Sequence, residues 1–159
     1  MNEQSPGAGP TPRLYHSSAL LLPDARVVLA GGGRRNELVD QPNAEFFSPP
    51  YLFQGPRPDT PQPESTTWSW AETVVVGSAA TSASSIARAT LLRIGHNTHQ
   101  FSMDQSFMEL EIVARDAANN TLTLRTPESA YIAPPGYYML FLLSDAGVPS
   151  EAVYIQISC

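Results

Sequence analysis

The chain of 159 residues has one cysteine, and it is the last residue, Cys159. That excludes an internal disulfide, a Cys-x-x-Cys redox pair and a thiolate zinc cluster. Charge is scarce as well: Asp, Glu, Lys and Arg make up 15% of the sequence, against the usual quarter. The basic residues form no stripe and do not alternate with aromatics, and the formal net charge is -6, so no nucleic-acid partner is expected. No apolar run approaches the ~18 residues of a membrane-spanning helix, so no membrane partner is expected either. Met1 to Arg13 carry Pro and Gly where a secretory leader would have its apolar core. As written the chain has no signal peptide; it reads as cytoplasmic, or as a piece that has lost its leader. Helical periodicity is absent too.

What is present points to an all-β fold. A chain of this length buries roughly 70% of its unfolded surface, enough for a real core. Its 15 prolines and its many turn residues break the apolar residues into short runs. Residues 1–13 read as a disordered leader. Leu14–Leu22 and Arg26–Ala30 read as a hairpin turned by Pro23-Asp24 and ended by Gly31-Gly32-Gly33. No helix and no Lys-Ser/Thr follow the glycines, so they mark a close backbone approach or a bulge rather than a phosphate loop. Ala44–Phe47 is a further short strand. Residues 54–66 hold four prolines, Pro56, Pro58, Pro61 and Pro63, and read as a stiff linker and domain boundary.

Residues 67–159 are more regular. Strands are expected over Trp68–Val76, Ala87–Ile94, Met108–Arg115, Thr121–Arg125, Tyr137–Leu143 and Glu151–Ile157. Met108, Leu110, Ile112 and Ala114 alternate with Glu109, Glu111, Val113 and Arg115, the mark of a half-buried strand. Six or seven short strands at roughly ten-residue spacing suit an immunoglobulin-like sandwich. The polar stretch Gly95–Gln105 between two apolar runs reads as a loop or hairpin carrying His96 and His99. Near the start, Tyr15 and His16 are adjacent. Neighbouring strand residues face opposite ways, so both reach one point only from a strand end or a bulge. Glu109 and Glu111 face outward and make no acid pair across a cleft. Asn119-Asn120-Thr121 is a glycosylation sequon that matters only in a secreted chain.

Several phrases together, in order, resemble the C-terminal region of the galactose oxidase and glyoxal oxidase family, the copper radical oxidases. They are Arg13-Leu14-Tyr15-His16-Ser17, Val27-Val28-Leu29-Ala30 with the glycine triplet, and Glu45-Phe46-Phe47-Ser48-Pro49-Pro50-Tyr51-Leu52-Phe53. Thr98-His99 with Asp104-Gln105 follows, then Pro134-Pro135-Gly136-Tyr137-Tyr138-Met139-Leu140-Phe141 and Gly147-Val148-Pro149-Ser150. The resemblance implies that residues 14–53 are partial blade strands from the end of a kelch propeller. Residues 67–159 are then an immunoglobulin-like sandwich of the early-set (E-set) type, whose hairpin delivers a histidine to copper.

On the same ground Tyr15, His16 and His99 are the expected metal ligands, with Tyr15 as an axial phenol and the histidines equatorial. Imidazole nitrogens and a phenolate oxygen suit tetragonal copper(II). The family oxidises an alcohol or aldehyde with O2, giving aldehyde or acid and hydrogen peroxide, and uses a second tyrosine cross-linked to a cysteine. Cys159 matches no such position, so the chain is expected not to be catalytically competent alone, and no catalytic residue is assigned. One further departure is Asp104-Gln105-Ser106, where many relatives place Arg after Gln; losing that charge is expected to loosen the loop or alter its propeller contacts. The expected partner is the missing propeller portion or a second copy. Alternative readings are a stand-alone sandwich that binds carbohydrate or protein, and a small copper or zinc protein that also uses His96.

Overall fold

A computed structural model of the chain describes residues 11–33, 39–99 and 101–158. The expected leader lies outside these residues up to position 10, and so does Cys159. Three strands come first: β1 (Ser17–Leu21), β2 (Val27–Gly31) and β3 (Ala44–Phe47), an antiparallel sheet in that order. A single 3-10 turn at Pro50–Phe53 follows. The strands β4 (Gln62–Pro63), β5 (Thr67–Trp68), β6 (Thr73–Gly77) and β7 (Ile86–Arg93) come next. A two-stranded finger is made by β8 (His96–Thr98) and β9 (Phe101–Met103). The last strands are β10 (Phe107–Leu110), β11 (Ile112–Asp116), β12 (Thr121–Arg125), β13 (Gly136–Ser144) and β14 (Val153–Ile157).

Two sheets form the sandwich. One has the order β10-β7-β13-β14-β5, the other β11-β12-β6-β4. Period-2 alternation on β13 sends Tyr138, Leu140 and Leu142 inward, where they are fully buried with Leu91, Ile155, Ile157 and Trp68. Val76, Leu122 and Leu124 face them from the other sheet. Each such side chain contributes about 1.5–3 kcal/mol by leaving water. Polar atoms caught in this core find partners: the Tyr138 hydroxyl donates to the Pro134 carbonyl (2.6 Å) and the Trp68 indole N–H to Ser65 (2.7 Å). Burial pushes the Tyr138 phenol above its ordinary pKa.

The outer face of the larger sheet carries the three-stranded appendage. Met139, Phe141, Leu92 and Leu143 meet Leu21, Ala25, Tyr51 and Leu52 in a second apolar cluster. The Tyr51 hydroxyl donates to the Ala25 carbonyl at 2.7 Å, and the backbone N–H of Ala152 donates to Pro23 at 2.8 Å. The described part of the appendage thus packs on the sandwich.

Two sequence expectations need correction. The strand expected over Trp68–Val76 is two strands in different sheets; between them Ala71 takes φ 56°, and the Trp70 indole N–H donates to Ala133 at 2.8 Å. Met108–Arg115 is likewise β10 and β11, which change sheets at Glu111 with an irregular register between Ile112 and Ala114. Alternation continues through such a switch, because a period of two does not say which neighbour a strand pairs with. The stretch 54–66, expected to be a stiff linker, is anchored along its length. Arg57 donates to the carbonyls of Asp24 (2.9 Å), Pro149 (3.0 Å) and Ser150 (2.7 Å), joining appendage to sandwich. Gln62–Pro63 then forms the edge strand β4, where a missing N–H is tolerated.

Candidate metal centre

The backbone N–H of Ser17 donates to the Leu14 carbonyl at 3.0 Å and closes a four-residue turn. Tyr15 and His16 occupy its corners, directly before β1, and His16 has φ 63°. A turn escapes the alternation of a strand, so both side chains leave on one side. Their rings lie 4.1 Å apart, centre to centre, at 21°.

Glycine permits this turn. A Cβ on Gly31 would sit 2.8 Å from the His16 carbonyl oxygen, and one on Gly32 would lie 3.2 Å from the Leu14 nitrogen. Gly31, Gly32 and Gly33 all have positive φ, and Gly33 donates its N–H to the Tyr15 carbonyl at 3.0 Å. Arg13 fastens the same turn from below. Its guanidinium donates to the Glu45 carboxylate (2.9 Å), to the carbonyls of Gly31 (2.9 Å) and Asn43 (3.2 Å), and to the Asn43 side chain (3.0 Å). The Arg13 side chain is 6% exposed, so its bonds to Glu45 and Gly31 are partly desolvated and charge-assisted.

The second half of the site comes from the finger. His96, Asn97 and Thr98 pair with Met103, Ser102 and Phe101, which puts His99 at the tip with φ 51°. A tight hairpin favours positive φ at that position. His99 therefore projects beyond the sandwich. Its ring lies 4.8 Å from that of His16, nearly perpendicular at 84°, and 6.4 Å from that of Tyr15. His16 and His99 are exposed and Tyr15 is half-buried, so the cluster is open on one side.

The structure thus brings Tyr15, His16 and His99 together. With metal–nitrogen bonds of about 2.0 Å, two imidazoles bound side by side on one ion have ring centres roughly 4–5 Å apart. The His16–His99 separation fits that spacing. Among the described residues no three His, Cys, Asp or Glu side chains cluster at ligand range, so a metal here would need the tyrosine. His96 does not join the trio. It is 73% exposed at the base of the finger, with Nδ1 3.2 Å from the Asp104 carboxylate. At Ser106 the backbone carbonyl accepts from the Arg93 N–H at 2.9 Å, while the hydroxyl is buried without a partner among the described residues.

Sequence reasoning missed Asn97, whose amide donates to the Ala19 carbonyl of β1 at 2.5 Å. The contact spans the two halves of the chain, and no local pattern signals it.

A two-sheet, immunoglobulin-like sandwich that lays a histidine-tipped finger against a neighbouring sheet defines the class of protein. Comparison with known proteins places it further. The galactose oxidase-like, early set domain family matches residues 57–157, and the chain belongs to that family. A galactose oxidase from Gibberella zeae is 36% identical over 149 residues, covering 92% of this chain and 22% of the relative. An aldehyde oxidase, GLOX, from Vitis pseudoreticulata is 33% identical over 162 residues, covering 94% of this chain and 31% of the relative. Among solved structures, a fungal alcohol oxidase of the AA5 family in complex with copper superposes with a TM-score of 0.78 at 28% identity, covering 95% of this chain and 32% of that one. The chain thus spans about a third or less of the length of these relatives.

Proposed function

We propose that this chain is the early set portion of a copper radical oxidase and supplies Tyr15, His16 and His99 as ligands to one copper ion. The observation behind this reading is the convergence of three rings from two distant segments, held at 4.1 Å and 4.8 Å by a glycine-dependent turn and a projecting finger. A generic sandwich has no need of either device. Copper would supply redox chemistry; the chain's own residues fix where it sits and leave one side open for further ligands and substrate.

The same reading assigns the chain a structural and ligand-donating role rather than catalysis by itself. The family's reaction calls for a tyrosine cross-linked to a cysteine, and the one cysteine here is Cys159. The partner is a propeller portion. Leu20, Val28 and Phe46 lie opposite one another on one face of the appendage, and Phe46 is 57% exposed. On the finger, Phe101 and Met103 are exposed as well. Apolar surface of this kind marks an interface.

Titration of the purified chain with copper(II) tests the proposal. Saturable binding of one ion per chain is expected, with affinity lowered at least about tenfold, or ~1.4 kcal/mol, by either His16→Ala or His99→Ala. Binding that is absent, or indifferent to both substitutions, would overturn it. A parallel assay with alcohols and aldehydes should yield no hydrogen peroxide from the chain alone, and sustained turnover would contradict the assigned role.

A further inference from the structure

Asn97 sits on β8 two residues before His99, opposite Ser102. The Asn97 side chain reaches toward the appendage, and His99, in the turn that follows the strand, meets the His16 ring. The amide Nδ2 donates to the carbonyl of Ala19, and since a carbonyl oxygen only accepts, the orientation of the amide is fixed. Ala19 belongs to β1, which starts immediately after His16. One side-chain bond therefore ties the strand just before His99 to the strand just after His16, a few residues from each ring.

The other end of the same amide argues against a purely stabilising role. Asn97 Oδ1 is buried and has no partner among the described residues. A buried acceptor left unpaired lowers stability, so an apolar side chain would serve better if holding the finger down were all that mattered. An apolar contact, however, lets a two-stranded finger slide and rock. A short hydrogen bond to one backbone atom fixes its register.

We propose that Asn97 is a positioning residue: its amide locks the finger to Ala19 and so places the His99 imidazole against the Tyr15–His16 turn. The use of that placement rests on the copper reading above; the placement itself does not. The test therefore has a metal-free arm and a metal arm. In the metal-free chain, nuclear Overhauser contacts between the ring protons of His16 and His99 are expected. They should disappear in Asn97→Ala and in the isosteric Asn97→Asp, which has no donor, while Tyr15–His16 contacts and the core signals of Tyr138 and Leu140 stay in place. Asn97→Gln, which keeps the donor, should recover part of the contact. With copper(II) as the probe, both donor-less variants should bind about ten-fold or more weaker, the usual effect of removing a group that orients a ligand. Unchanged His16–His99 contacts in Asn97→Asp would overturn the proposal. Contacts that respond as expected in a wild-type chain that takes up no copper would uphold the positioning role and remove the metal reading.

Discussion

A methyl group on Gly31 would lie 2.8 Å from the His16 carbonyl oxygen, and at φ 72° the residue already occupies backbone space that side chains disfavour. Gly31→Ala should therefore cost about 1–3 kcal/mol in denaturant unfolding and displace the Tyr15–His16 turn with it. A second residue-scale prediction concerns acid. Backbone N–H groups of Ala80 and Thr81, each 2.7 Å away, hold the Asp59 carboxyl below the usual carboxylate range, with help from the Thr81 and Ser78 hydroxyls. A carboxyl whose pKa is lower folded than unfolded stabilises the fold above its unfolded value of about 4, and the contribution fades as pH falls through the folded value. The stability gap between the wild type and Asp59→Asn should be flat from about pH 5 to 8 and shrink below about pH 4. A gap that changes between those upper values would assign the effect to another group. At this scale the sequence was partly legible. Tyr15, His16 and His99 could be named from the phrases that carry them, and the glycine triplet pointed to a close backbone approach. The work of Arg13 and Asn97 could not be read, because their partners belong to residues far away in sequence.

Among the elements, the finger and the proline-rich stretch show opposite sides of the same limit. The finger was visible as a polar interruption between apolar runs, and its hairpin pairing from His96 to Met103 follows from that. The proline-rich stretch was legible as a stiff connection, but not the contacts that hold it, because prolines look alike in a spacer and on a sheet edge. Arg57 distinguishes the two: three backbone carbonyls, from Asp24, Pro149 and Ser150, converge on its guanidinium. Arg57→Ala should cost about 1.5–3 kcal/mol, since the carbonyls lose a charged donor. Hydrogen exchange should speed up over β1, β2 and β3 more than in the sandwich core. Uniform acceleration across both sheets would mean that Arg57 stabilises the whole fold rather than the joint. The sheet switches at Ala71 and Glu111 were illegible for a different reason: alternation records burial, not pairing.

For the whole molecule, fold and site depend on each other. The sandwich supplies a rigid base from which a short finger projects, and the appendage, packed on the outer face of the larger sheet, presents the turn that the finger meets. Tyr15 and His16 belong to one body and His99 to the other, so the three rings meet only where the two touch. Paramagnetic resonance of the copper(II)-loaded chain examines that convergence most directly. Nitrogen hyperfine structure from two imidazoles is expected in the wild type, falling to one in His16→Ala and to one in His99→Ala. A spectrum with the same nitrogen count in all three would show that the rings do not share an ion.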